Sequence, residues 1–504
     1  MSNGVQLIAY ADRLGGTIQG VADLLDGPLH GVFEGIHLLP FYTPFDGADA
    51  GYDPRDHGEV DPRLGTWDDV ARLAGVADVC ADLIVNHLSI DSPWVRDALA
   101  HGECSPSAEM VLTYDCVFPA GATEAELTRI YRPRPGLPFR MVRFGDRTRL
   151  IWTTFGDQQV DLNLNAAGAW EYLSGVLARL AEHGVRLVRL DAVGYIAKSA
   201  GTSCFLTDDT MDMVRRVAAE AERLGLTTVA ELHAHYEQQE RLAGVVDHVY
   251  DFALPPLILH ALHSGDVRPL SRWLDRRPQN AVTVLDTHDG IGVMDVGPDP
   301  TRPGTEGLLS PTEIDALVET VHRVSNGTSR RATGAAASNL DLYQVNCTWY
   351  DAVGRDDARM CLSRLIQLFL PGLPQVYYVG LLAGANDLTE LERTGVGRDV
   401  NRHRYSREEV ATALRQPVPR AHLAMIRLRN RHPAFEGAFT WSQGPESGQL
   451  SLHWVNGPHH ASLHTVPGQG QFEVSWSTAD GVRRVRTVAE LADLTRAQEI
   501  GAAL

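Results

Sequence analysis

Eight short apolar or β-branched runs, each ending in polar residues and each followed by a helical stretch, constrain this chain more than any other feature. They span residues 6–10, 35–41, 78–87, 186–191, 227–231, 248–252, 281–289 and 374–379. Near-continuous apolar strands are buried on both faces and pair in parallel; eight of them alternating with helices predict an α/β protein closed into a (β/α)8 TIM barrel. The intervening helices carry their own signals. Residues 208–224 open with Asp208 and Asp209, keep apolar positions at helical spacing and stop before Gly225. Ser310, Pro311 and Glu313 form a capping box with proline at the first helical position.

Two gaps are too long for simple crossovers and predict insertions after strands three and seven, at 88–166 and 292–354. The first is rich in Pro, Gly and aromatics, notably at 131–138. In a barrel both insertions emerge over the C-terminal face, where catalytic residues sit. The barrel itself is then expected from 1–87, 167–291 and 355–435. Beyond it, the alternating runs at 450–454 and 471–476 predict a C-terminal antiparallel β domain over 436–504.

The 64 acidic residues exceed the 45 Lys plus Arg, leaving a formal charge of −19. Such a field disfavours nucleic acid, anionic membrane and any anionic substrate that lacks a local cationic pocket. All but one of the cations are arginine, the exception being Lys198, a pattern that coding bias explains. Six scattered cysteines form neither a zinc ribbon nor a disulfide framework and are expected to be free, mostly buried thiols. No basic, apolar leader precedes the first strand and no apolar run reaches membrane length, which predicts a cytoplasmic location.

The strand ends concentrate chemistry: Asn86 and His87 after strand three, Arg189 and Asp191 in strand four, Glu231 and His233 after strand five, His288 and Asp289 after strand seven. A helix cap or a buried ion pair accounts for any one of these. Four strands delivering such groups to one rim is electrostatically expensive, which points to use. Three carboxylates flanked by His and Arg suit glycosidic-bond chemistry, with one nucleophile, one acid/base and one partner for sugar hydroxyls. A catalytic metal is the rival use of these residue types; His233 and His235 stand two apart rather than at helical metal spacing, so no metal and no cofactor are expected. Retention requires the nucleophile and acid/base carboxyls about 5–5.5 Å apart, which adjacent strands four and five can deliver. Glu231 is expected to be raised by its carboxylate neighbours, and Asp191, on the same face as Arg189, to stay ionised.

The segments DLIVNH at 82–87, VRLDAV at 188–193, VAELH at 229–233 and VLDTHD at 284–289 resemble, in order and spacing, the four sequence regions of the α-amylase superfamily of glycoside hydrolases. ADRLG at 11–15, the run at 39–51, residues 131–139, DFALPP at 251–256, the run at 332–344 and GRDVNRH at 397–403 further resemble the sucrose phosphorylase family. That resemblance implies retaining glucosyl transfer from sucrose to inorganic phosphate, giving glucose 1-phosphate and fructose. It implies Asp191 as nucleophile, Glu231 as acid and Asp289 as the residue holding glucosyl hydroxyls at the transition state. Asp49, His87, Arg189, His288 and Arg398 match positions binding the glucosyl unit, with apolar faces from Tyr52 and Phe155 and a polar contact from Gln159. Tyr52 stands where phenylalanine is common, and little change beyond an added hydroxyl is expected.

On the acceptor side, phosphate must enter a site walled by carboxylates, which requires fixed cationic donors, and the planar fork of arginine suits phosphate. Arg132 and Arg134, in the proline-stiffened RPRPG at 132–136, are the candidates by composition. The resemblance singles out Arg134 and Tyr343 for phosphate, with Leu340, Asp341 and Gln344 on the facing loop and Tyr195 and His233 lining the acceptor cavity. It also implies loops that rearrange between the two acceptors, for which GAAAS at 334–338 is suited, and is consistent with a homodimer. The alternatives are a phosphorylase with another acceptor (sucrose 6′-phosphate, glucosylglycerol or glucosylglycerate) or an α-glucosidase-type hydrolase. A non-catalytic barrel would have lost at least one of the three carboxylates, and all three are present.

Overall fold

A computed structural model describes residues 4–45, 50–132, 134–302, 304–335, 344–444 and 448–494. Eight parallel strands close into a barrel: β1 (Gln6–Ala9), β2 (Gly35–Leu38), β3 (Asp78–Ile84), β4 (Val185–Asp191), β5 (Thr227–Ala230), β6 (His248–Asp251), β7 (Ala281–Thr283) and β8 (Leu373–Tyr377). Closure is by β8 against β1, with Gln6 opposite Gln375. All eight expected strands are present, and all but β4 end before their apolar runs do, β3 and β7 in ways that shape the rim. β3 stops at Ile84, and His87–Ser89 forms a separate short strand pairing antiparallel with Gln159–Asp161. β7 stops at Thr283, leaving residues 284–289 free of the ladder to reach the rim.

The barrel interior is not purely apolar. Register sets Arg189 on β4 directly opposite Asp82 on β3, and both side chains are buried. Asp82 also meets His37 Nε2 at 2.8 Å. Deeper in, the Tyr250 hydroxyl donates to Gln375 Oε1 at 2.6 Å and Gln375 Nε2 donates to Gln6 Oε1 at 2.8 Å. A satisfied polar chain of this kind strongly disfavours other registers, because any slip would orphan buried donors.

Both insertions stand on the C-terminal face of the barrel. The first contains the hairpin Phe139–Phe144 with Arg147–Trp152. The second begins with the short pairing of Ile291–Gly292 to Gln344–Val345 and carries the helix Pro311–Val324, whose Ser310 cap receives the Glu313 N–H as the sequence predicts. Helix Asp208–Arg223 likewise matches its expected span. The C-terminal sheet has five antiparallel strands rather than the two runs foreseen, in the order Ala438–Gln443, Leu450–Asn456, His459–Val466, Gln471–Thr478 and Gly481–Val485. Leu450, Leu452 and Trp454 alternate inward, and Trp454 Nε1 donates to the Phe369 carbonyl at 2.6 Å, tying the sheet to the barrel. The six cysteines are free, four of them buried.

Candidate active site

The floor of the site is built where β4, β5 and β7 run out. Arg189 and Asp191 lie two apart on β4 and so share a face. The Arg189 guanidinium, 3% exposed, holds Asp191 Oδ1 at 2.8 Å through Nη1, binds Asp82 with the same nitrogen, and reaches Glu231 Oε1 at 3.9 Å through Nη2. Ala192 turns the chain sharply after Asp191 in the left-handed region (φ 55°), uncommon for a residue with a Cβ. The turn aims the Ala192 N–H at Glu231 Oε2, 3.0 Å away. Strain at this corner thus ties the two carboxylates together. Asp289, the third, is paired with Arg398 Nη1 at 2.9 Å, with His288 and Arg402 just beyond.

These surroundings push the carboxyls apart. Burial raises Asp289, but Arg398, His288, His233 and Arg402 overcome it and hold the group well below the usual carboxylate range. Asp191 goes the other way: burial lifts it to about 8, Glu231 and Asp82 add to the rise, and Arg189 opposes it without prevailing. Burial therefore opposes the expectation that Asp191 stays ionised beside Arg189. Desolvation outweighs one shared guanidinium, and the neighbouring carboxylates work in the same direction. Burial keeps His288 neutral, with its ring stacked on Tyr52 at 4.7 Å.

Above this floor lies a cavity of about 430 Å³ lined by the three carboxylates with Tyr52, His87, His288 and Arg398, and by Arg132, Arg134, Tyr195, His233, Gln344, Phe155 and Gln159. His87 Nε2 and Gln159 Nε2 both approach the Tyr52 carbonyl, at 2.9 and 3.4 Å. Arg189 alone of the described candidates lies behind the wall rather than on it, because its guanidinium is consumed by carboxylates beneath. The hydroxyl of Tyr52 is no idle addition either: it donates to Asp82 Oδ1 at 3.3 Å and receives Arg189 Nη1 at 3.4 Å, joining the ring to the buried network. Arg132 is half-committed, with Nη1 donating to the Leu137 carbonyl at 2.6 Å. Asp49, Leu340, Asp341 and Tyr343 lie outside the described residues.

Several residues on the wall escaped sequence reasoning. Tyr131 and Phe205 continue an aromatic chain, Tyr131–Phe205–Tyr195–Phe155, at centroid separations of 4.7, 4.7 and 5.1 Å. Phe205 belongs to the segment after β4, where nothing in the local pattern distinguishes it from core. The chain's single lysine is also placed here: Lys198 Nζ, buried, meets Asp161 Oδ2 at 2.6 Å and Asn86 Oδ1 at 2.7 Å, bracing the segment that carries His87.

Glu231, His233 and Asp289 each bring a donor atom within 4.8 Å of the others, a grouping that could hold a metal. Its chemistry is unsuited to a cation. Although burial pulls His233 down, Asp295 at 3.2 Å, with Glu231 and Asp289, raises it to about 9, so the ring is an imidazolium at neutral pH. Asp289 is already neutralised by arginine. His235, the other histidine of the segment, turns away to the Glu306 carbonyl at 3.0 Å.

Residues 2–418 match the catalytic domain of α-amylase. The chain belongs to the α-amylase family. Among relatives in this family, the sucrose phosphorylase of Agrobacterium vitis is 52% identical over 479 residues, covering 95% of this chain and 98% of the relative. The sucrose phosphorylase of Bifidobacterium adolescentis is 50% identical over 471 residues, 93% of each chain. The α-amylase-family barrel, insertions and C-terminal sheet also superpose on the crystal structure of sucrose 6F-phosphate phosphorylase from Thermoanaerobacter thermosaccharolyticum, with a TM-score of 0.87 at 32% identity over 97% of this chain and 98% of that one.

Proposed function

We propose that this chain is a sucrose phosphorylase, transferring the glucosyl unit of sucrose to inorganic phosphate with retention and releasing D-fructose and α-D-glucose 1-phosphate. The observation that carries the reading is one cavity lined both by three convergent carboxylates and by Arg132 and Arg134, in a chain half identical to two sucrose phosphorylases.

In this reading Asp191 attacks the anomeric carbon and forms a β-glucosyl ester. Glu231 gives its proton to the departing fructosyl oxygen. The step needs the charge on Asp191, which the short Arg189 contact favours. Asp289, kept ionised by Arg398, accepts from the glucosyl hydroxyls as positive charge develops on the ring. His87, His288, Tyr52, Phe155 and Gln159 shape the pocket for the glucosyl unit. Tyr195, His233 and Gln344 face fructose, and Arg134 receives phosphate, which attacks the ester from the face that fructose has left. Arginine is needed there because three carboxylates and a net charge of −19 repel the dianion. The free thiols fit a reducing cytoplasm.

The test is to supply sucrose with and without phosphate and to follow glucose 1-phosphate and free glucose separately. Glucose 1-phosphate that appears only with phosphate supports the reading. Free glucose at the same rate under both conditions would mean a hydrolase, and inactivity on sucrose with turnover of a phosphorylated or glyceryl glucoside would mean another acceptor.

A further inference from the structure

Asp295 sits on the single helical turn Met294–Val296 at the start of the insertion that follows β7, with its carboxylate fully buried. Both oxygens are engaged by the segment that follows β5. Oδ1 accepts from the Ala234 N–H at 3.1 Å and from Gln239 Nε2 at 3.0 Å, while Oδ2 faces His233 Nδ1 at 3.2 Å. The approach depends on Gly292, where a Cβ would stand 2.3 Å from Asp295 Oδ2 and 3.2 Å from His233 Nδ1. A glycine, a buried carboxylate and two anchoring donors are thus spent on one contact to one imidazole.

With Nδ1 committed to Asp295, His233 presents Nε2 to the cavity, 3.6 Å from Glu231 Oε1 and 3.2 Å from the Gln344 side-chain amide, which turns its oxygen to the ring when Nε2 carries a proton. Its ring lies flat on Phe252, centroids 4.1 Å apart, which fixes its plane. The groups facing it are Asp295 from the insertion after β7, Glu231 on its own segment, Asp289 at the end of the β7 run, Gln344 and the Phe252 ring. Each of these ionisable neighbours is an anion, which favours a positive ring beside the reacting carboxylates.

We propose that Asp295 is a positioning residue for phosphate: by holding the Nδ1 proton of His233 it keeps the imidazole cationic and its Nε2–H aimed at the acceptor that replaces fructose. Water needs no such charge to attack the glucosyl ester, whereas a phosphate dianion entering among three carboxylates does. The inference rests on the phosphorylase reading above and adds a residue that neither strand ends nor motifs identify.

The experiment compares the parent with Asp295→Asn, assaying glucose 1-phosphate and free glucose from sucrose over a range of phosphate and pH. The expected result is a KM for phosphate raised about tenfold or more near pH 7.5, the scale of a lost charge-assisted hydrogen bond, with slow hydrolysis falling by less. The defect shrinks toward pH 6, where an imidazole without its carboxylate protonates again. The His233 ring resonances titrate above pH 8 in the parent and near or below the ordinary histidine value of ~6.5 in the variant. In a His233→Gln background, Asp295→Asn adds nothing to the phosphate KM. If Asp295→Asn fails to fold, Gly292→Ala, which keeps both groups but forces them apart, must show the same selective loss. A parent that makes glucose 1-phosphate beside a variant with unchanged phosphate KM and pH profile overturns the inference alone. A parent that makes none overturns the phosphorylase reading and the inference with it.

Discussion

At the floor of the cavity, Asp191, Glu231 and Asp289 stand at or just beyond strand ends of a closed barrel, and close partners lock the charges there: Arg189, set opposite Asp82 by register, holds Asp191, and Arg398, from a distant segment, holds Asp289. On the acceptor side, Arg132, Arg134, His233 and Gln344 are set by insertions and by contacts between segments distant in the chain. The floor is paired so fully that it cannot rearrange without breaking buried ion pairs. The acceptor side is set by insertions laid over the barrel, as where Asp295 holds His233 at 3.2 Å. The reacting carboxylates thus owe their places to the barrel strands and the segments that leave them, the acceptor groups to packing between barrel and insertions.

The sharpest way to break this comparison is at the floor. Asp191→Asn is expected to lower phosphorolysis by about 10⁴-fold or more, the scale of losing a nucleophile, and hydrolysis equally, since both pass through the same ester. The same substitution should stabilise the protein. A carboxyl near 8 in the folded chain and ~4 in the unfolded chain binds its proton more tightly when folded, so stability falls as pH rises between those values. Asparagine removes that penalty, and thermal melts should show a gain at pH 8 that shrinks as pH falls and vanishes near pH 4. A variant that retained phosphorolysis would overturn the nucleophile.

Next in size, Lys198→Met removes the cation from a buried pair with Asp161 and should cost about 3–5 kcal/mol by chemical denaturation. A loss under 1 kcal/mol would mean that the segment carrying His87 does not depend on that brace. On the acceptor side, Arg134→Ala should lower phosphorolysis about 10²-fold while slow hydrolysis falls much less. Equal loss of both would sink the phosphate role and, with it, the distinction between floor and acceptor side. The smallest effect is expected for Tyr52→Phe, where losing the hydroxyl contacts to Asp82 and Arg189 should cost about 0.5–1.5 kcal/mol in stability and only a few-fold in rate.

How much of this was legible depended on whether a residue's role is written in its own stretch of chain. Asp191 and Glu231 end apolar strands, so alternation and β-propensity expose them directly. Arg189 was visible as a partner for Asp191, yet its withdrawal behind the wall follows from Asp82, a residue over a hundred positions away that register sets opposite it. The raised Asp191 likewise comes from burial, which no local pattern reports. Nothing in their own stretches sets Phe205 and Tyr131 apart from ordinary loop aromatics; folding packs Tyr131 on Phe205 and Phe205 on Tyr195. Asp295 had no signal beyond being an acidic residue in a loop.

The amino-acid sequence by itself determined the barrel, because eight apolar runs alternating with helices leave little other way to bury their surface. It also determined the chemical type of the site, because carboxylates at strand ends must converge on one rim. Tertiary structure alone decided which charges face the cavity and which are spent beneath it, why the lone lysine is buried, and that Asp295 reaches His233. Those are electrostatic outcomes of distance and desolvation between segments far apart in the chain, and neither quantity exists until the chain is folded.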